Sequence, residues 1–150
     1  MNISKDELIA YLNMIQGVIL RMANNSFLIK GWSISLTTAM LALAGGTKSE
    51  IFCFISIIPV LLLWWLDAFF FYQEKKYRDI YDHAKSEGLK ERLKRDKLYN
   101  LDPNLLADRS AEKAQKVCIR FKAMKQNAVY PIYVVQLLIL LTAYFIVKAL

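Results

Sequence analysis

The sequence predicts an all-α integral membrane protein: an N-terminal amphipathic helix, three transmembrane helices and a cytoplasmic helical hairpin, in one domain of 150 residues. Three observations lead there. Apolar residues make up 56% of the chain, above the roughly 45–50% of ordinary soluble domains. Charged residues still account for 22%, with a net charge of +7, but the two populations are segregated along the chain, as they are when lipid is part of the solvent. Finally, three apolar runs of about 20 residues occur, each long enough at 1.5 Å per residue to cross a hydrocarbon layer of roughly 30 Å. The competing reading is a soluble helical bundle, whose core helices are seldom apolar all round over such a length.

Residues 3–25 read as the amphipathic helix. Ser4 and Glu7 have the spacing of a capping box, and Leu8, Leu12, Ile15, Ile19 and Met22 recur at helical spacing opposite Asp6, Asn13, Gln16 and Asn24. This stripe suits either the membrane surface or the protein's own cytoplasmic helices. The first membrane segment is 27–46, with Lys30 near its start, where a long side chain can reach the headgroups. Gly45-Gly46 then ends the run in a tight turn. The second segment is 51–71, with Pro59 in its middle as an expected kink and Trp64, Trp65 and Tyr72 toward one interface. Residues 72–128 form the cytoplasmic helical segment. Its first helix continues from the second membrane segment to Gly88, with Tyr77, Ile80, Tyr81 and Ala84 as its apolar stripe. A short basic helix follows, and after Asp102-Pro103, a cap and first-turn pair, a further helix runs from Asn104 to about Tyr130. The third membrane segment is 130–150, edged by Tyr130 and Tyr133 on one side and Lys148 on the other.

Orientation follows from charge. Fifteen of the 20 Lys and Arg residues lie in 72–128, a loop short enough for the positive-inside rule to govern. The N-terminus and 72–128 are therefore expected in the cytoplasm, with the turn near Lys48 and the C-terminus outside. The start, MNISKDEL, lacks the pattern of a cleavable signal.

Few residues suggest chemistry. Asp67 is the sharpest, because a carboxylate in an apolar helix is costly and is usually buried against protein. It lies four residues before the end of the second segment, and Lys30 lies three after the start of the first. The two are at similar depth in antiparallel neighbours, which permits an ion pair. Such a pair can fix helix register or form part of an ion or proton path. Ser35, Thr38, Ala39, Ala42 and Gly45 share one face of the first segment, suited to close helix contact or, in an oligomer, to lining a pore. Gln136 in the third segment needs a partner across a helix interface. The run Lys90, Arg92, Lys94, Arg95, Lys97 suits anionic headgroups, worth about 1 kcal/mol per charge near the surface; no nucleic-acid-binding fold motif accompanies it. Arg78 and His83 have the R-x4-H spacing of HEPN-type ribonucleases, but on a regular helix they stand about 140° apart. With one histidine, and with Cys53 and Cys118 expected in different compartments, neither zinc nor a disulfide is expected. No nucleophile–base pair or phosphate loop is present, so neither an enzyme nor a cofactor is expected.

Two stretches, RMANNSFLIKGWSISL (21–36) and WWLDAFFFYQEKKYRDIYD (64–82), together resemble small bacterial membrane proteins encoded in antiphage defence loci. These are the SLATT-type proteins, with a transmembrane hairpin and a helical cytoplasmic extension, and the accessory membrane proteins of RADAR-type systems. The resemblance covers roughly residues 8–85; the third membrane segment departs from a two-helix SLATT protein. It implies a non-enzymatic effector of the inner membrane that assembles as a homo-oligomer and perturbs the bilayer or forms a pore when infection is sensed. The alternatives are a membrane anchor that recruits a soluble defence enzyme encoded nearby, and a membrane-tethered HEPN-like ribonuclease.

The charge bias generates a topological expectation. A reporter active only outside the cytoplasm should give signal when fused after Thr47 or Leu150 and none after Gly88; signal at Gly88 would reverse the orientation.

Overall fold

A computed structural model describes residues 4–89, 99, 101–102 and 124–149. Three helices carry the chain: α1 over Lys5–Thr47, α2 over Ile51–Leu89 and α3 over Tyr130–Ala149. Each is long and apolar enough to cross a membrane, and no strand occurs among the described residues.

The start of α1 is set by its capping box. Ser4 Oγ accepts from the Glu7 amide at 3.1 Å, and Glu7 Oε2 accepts from the Ser4 amide at 3.0 Å, which satisfies two of the donors that a helix N-terminus leaves open. The sequence reading separated an amphipathic helix from the first membrane segment at residue 26, whereas the structure runs one helix through both. No proline interrupts the stretch, and Gly17 and Asn24-Asn25 cost only about 1 kcal/mol or less apiece against helix, which burial of Ile19, Ser26 and Ile29 offsets. The end of α1 also differs from expectation. Gly45 and Gly46 stay helical, and the left-handed residue is Lys48, with φ of 50° and its amide donating to the Ala44 carbonyl.

Helix α2 continues through Pro59 and also through Gly88, the expected stop. Before α3, the amides of Val129 and Tyr130 both donate to the Gln126 carbonyl, at 2.8 and 3.1 Å. The chain therefore turns over 125–129, where the sequence reading carried a helix onward to Tyr130. Pro131 sits in the first turn of α3, where its missing amide hydrogen leaves no intrahelical bond unmade. The rest of that expected helix and the short basic helix before it lie outside the described residues.

α1 and α2 form an antiparallel hairpin, and α3 leans on both, chiefly on α2. Two cores result. One joins Val60 and Ala68 of α2 to Val129, Tyr133 and Leu140. The second lies toward the charged ends of the hairpin, where Tyr11, Ile15 and Ile19 of α1 meet Ile80 and Ala84 of α2, with Tyr77, Tyr81 and Leu101 packed around them. Tyr99 closes this core edge-on against Tyr11, at 5.9 Å between ring centroids. Of the two placements open to the N-terminal stripe, the structure has it packed on the protein's own helix. The stripe is centred on Tyr11–Ile15–Ile19, with Leu8, Leu12 and Met22 half-buried at its flanks.

Around the first core, burial runs opposite to that of a soluble protein. Phe27, Trp32 and Ile58 are 73, 66 and 70% exposed, while Ser33, Ser56 and Asp67 are fully buried. Apolar atoms outside and polar atoms inside is the arrangement that a hydrocarbon solvent selects, because lipid tails cannot satisfy a polar group. The hydroxyls on these helices follow the same rule. Thr37, Thr38 and Thr47 donate to the carbonyls four residues back, and Ser56 and Thr142 to those three back, all at 2.7–2.9 Å.

Ile15 tests whether the hairpin's charged end is a true packed unit. Ile15→Ala removes a fully buried side chain and should cost about 2–4 kcal/mol. Protease cleavage within 5–25 or 75–89 should accelerate accordingly, and an unchanged rate would argue against that core.

Candidate functional site

Asp67 is held in place by two side chains of α1. It sits on the face of α2 turned toward α1 and is fully buried. Lys30 Nζ lies 2.9 Å from its Oδ1 and 2.8 Å from its Oδ2. Ser26, one helical turn before Lys30, donates its hydroxyl to Oδ1 and accepts from Lys30 Nζ at 2.7 Å. Oδ2 has no aligned hydrogen bond, so its contact with the ammonium is one of charge. The structure thus brings Lys30 and Asp67 together and adds Ser26, a residue not expected there, between them. The available signal was the four-residue spacing of Ser26 and Lys30, which puts them on one side of a helix.

Deeper in the bundle the polar line continues. Ser33 donates to Gln136 Oε1 of α3 at 2.7 Å, and Thr37 follows one turn further, buried. Ser26, Lys30, Ser33 and Thr37 repeat at helical spacing and form the inward face of α1. Tyr133 is fully buried one turn from Gln136. Its ring stacks on Trp64 at 5.7 Å and 7°, and its hydroxyl points to the Leu63 carbonyl at 3.4 Å while lying within reach of the Asp67 charge. Trp64 Nε1 donates to the Met124 carbonyl at 3.2 Å. These two aromatics, expected toward an interface, form a clasp that fastens α3 to α2.

Within one copy, the face expected to make helix contacts or line a pore does not make the contacts. Ser35, Thr38, Ala39 and Ala42 are all exposed and point away from α2; within one copy the contact face is the one carrying Ser26, Ser33 and Thr37. The first segment is apolar nearly all round, so periodicity alone does not reveal which side turns inward. Gln136 does find a partner in Ser33 across a helix interface, but only for its oxygen. Its Nε2 is buried with no acceptor.

Of the remaining candidates, Arg78 is taken up by Glu74, at 2.8 Å from Nε and 2.7 Å from its terminal nitrogen. His83 is exposed, and no contact joins it to Arg78 among the described residues. Lys90, Arg92, Lys94, Arg95, Lys97 and Cys118 lie outside the described residues. Cys53 is buried and unpaired, and no metal-ligating cluster occurs among the described residues.

The geometry can bind α1, α2 and α3 in one register. Removing one partner of a buried pair typically costs about 3–5 kcal/mol, since the other charge is stranded. Asp67→Ala should therefore lower accumulation or thermal stability in detergent, and adding Lys30→Ala should restore part of the loss. A double variant no better than the worse single one would show that the two side chains are not coupled. Comparison with protein-family models, curated protein sequences and solved structures finds no match for this chain.

Proposed function

We propose that this chain is a non-enzymatic membrane protein of bacterial antiphage defence, an effector or accessory component that acts as a homo-oligomer in the inner membrane and perturbs the bilayer or opens a pore. The N-terminus and residues 72–128 face the cytoplasm in this reading, and the C-terminus faces outside. The defence setting rests on the resemblance of 21–36 and 64–82. The membrane and assembly parts rest on one observation, the inside-out burial of the helical bundle. Among the described residues its buried polar groups are nearly all satisfied within one copy, and its outer face is apolar apart from a few hydroxyls, Ser35, Thr38 and Thr47 on α1 and Thr142 on α3. A single copy encloses no water path, since Asp67 and Ser33 are spent on partners of their own chain. Conduction or leakage therefore requires several copies.

A second reading, that of an anchor that recruits a soluble defence enzyme encoded nearby, draws on a different observation. α1 and α2 continue past the first core and carry a packed core of their own. The stretch of α1 before Phe27 is 22 residues, or about 33 Å at the helical rise. Such a rigid stalk, followed by the basic run from Lys90, offers a docking platform without any pore. The ribonuclease reading finds no geometric support, because Arg78 is engaged by Glu74 and does not meet His83.

Mass of the protein in nanodiscs, together with dye entry in cells that express it with its neighbouring genes, separates these readings. An oligomer with dye entry is the expected result. A monomer that still protects cells would remove the pore and leave the anchor.

A further inference from the structure

Gln136 is the one described side chain in the bundle whose polar atom is buried without any partner: the residue is 5% exposed, its Oε1 is taken by Ser33, and its Nε2 donates to nothing. It lines a groove of about 440 Å³ between α1 and α3, walled by Thr37, Thr38 and Leu41 on one side and by Pro131 and Val135 on the other. The two threonine hydroxyls already donate to their own helix, and the rest of the lining is apolar. Lipid tails could fill such a groove but would leave the amide without an acceptor.

The small residues of α1 lie next to this groove. Gly31, Ser35, Ala39 and Ala42 are exposed, and a side chain added at Gly31 would meet nothing within 4 Å. One copy therefore makes no use of their smallness. In membranes, small residues allow a neighbouring helix to approach closely.

We infer that the α1–α3 groove of one copy receives the outward face of α1 from a second copy, and that the Gln136 amide, whose Nε2 is covered in the single copy, turns into the groove to donate to Ser35 of this second copy. Depth selects the acceptor. Copies arranged about an axis normal to the membrane all sit at the same level, so the acceptor must lie at the level of Gln136. The Ser33–Gln136 bond fixes that level at Ser33, and Ser35 is two residues further, about 3 Å along the axis, within the reach of a glutamine side chain. Thr38, five residues on, is about 7.5 Å away. The two surfaces are different parts of the molecule, the back of α1 and the cleft beside it, so the contact is head-to-tail. Repeated, it closes into a ring of three or more copies, whereas a twofold dimer, in which each stripe enters the other copy's groove, would end the run of contacts at two. The inference rests on the homo-oligomeric reading above and names the interface that builds it.

Cysteine crosslinking in native membranes tests this. In a chain carrying Cys53→Ala and Cys118→Ala, the pair Ser35→Cys with Val135→Cys should give, on mild oxidation, a ladder of dimer, trimer and larger products. Ser35→Cys alone should give none. The absence of a ladder, a product from Ser35→Cys alone that stops at dimer, or an equal ladder when Ile58→Cys replaces Val135→Cys would each overturn the interface. Gly31→Leu supplies a second arm, since the single copy has room for it: loss of the oligomer in nanodiscs, with unchanged accumulation, is expected, and an oligomer of unchanged mass would overturn the proposal. The mass of the unmodified protein distinguishes the two levels of failure. A monomer defeats the oligomeric reading itself, whereas an oligomer that yields no ladder defeats only this interface.

Discussion

A carboxylate with no water to solvate it governs this protein. Asp67 lies in an apolar stretch of α2, where leaving it to lipid costs several kcal/mol, so every close neighbour is there to answer its charge. Lys30 supplies the countercharge, Ser26 supplies a donor, and Tyr133 brings the third helix alongside. A buried ion pair of this kind adds little net stability, since desolvation cancels much of the attraction. What it provides is exclusivity. Sliding α1 by one residue moves Lys30 about 1.5 Å along and 100° around the helix, stranding both charges at once. Apolar contacts alone would tolerate such a slip far better.

The remaining polar groups obey the same constraint in order of depth. Most threonine hydroxyls and Ser56 turn back onto their own helices, Ser33 takes one end of Gln136, and what is left over among the described residues is an amide at the edge of a groove. The bundle is thus almost closed to hydrogen bonding from within and almost featureless outside. The exception lies on the back of α1, where glycine, serine and alanine replace the bulky side chains found elsewhere on the surface. The other end of the hairpin follows soluble rules, with Tyr11, Ile15 and Ile19 inside and charges outside. One pair of helices therefore answers to two solvents in succession, and the changeover falls between Ile19 and Ser26, where the buried face of α1 switches from apolar to hydroxyl.

The three long helices and the Lys30–Asp67 proximity were legible in the sequence, because length against bilayer thickness and depth from each interface are one-dimensional quantities. What the sequence concealed was rotational. The inward face of α1 went to Ser33 and Thr37 and not to Ser35 and Thr38, a difference of about 200° between Ser33 and Ser35 that an all-apolar helix does not encode in its periodicity. That Tyr133 turns inward and stacks on Trp64 was equally hidden, because a tyrosine near a segment's edge carries no signal of its rotation. The join at residue 26 was invisible for a different reason: a change of environment looks like a boundary in composition, although the backbone hydrogen bonds pass through it without interruption. Lys48 took the left-handed position beside two glycines because the helix ended one turn later than the glycines suggested.

The tight turn between α1 and α2 bears on how the protein enters a bilayer at all. A lone lysine or aspartate near a segment's edge weakens its insertion as an isolated helix. Here the two charges belong to helices joined by three residues, Lys48 to Glu50, so the second helix reaches the insertion machinery while the first is still beside it. Neutralisation then accompanies entry, and the hairpin partitions as one unit whose charges are already matched. α3, separated by a long hydrophilic stretch, arrives later onto a template that is already in register. Its docking is a step of assembly after biogenesis of the hairpin, and it is guided by an aromatic stack and one serine–glutamine bond rather than by charge.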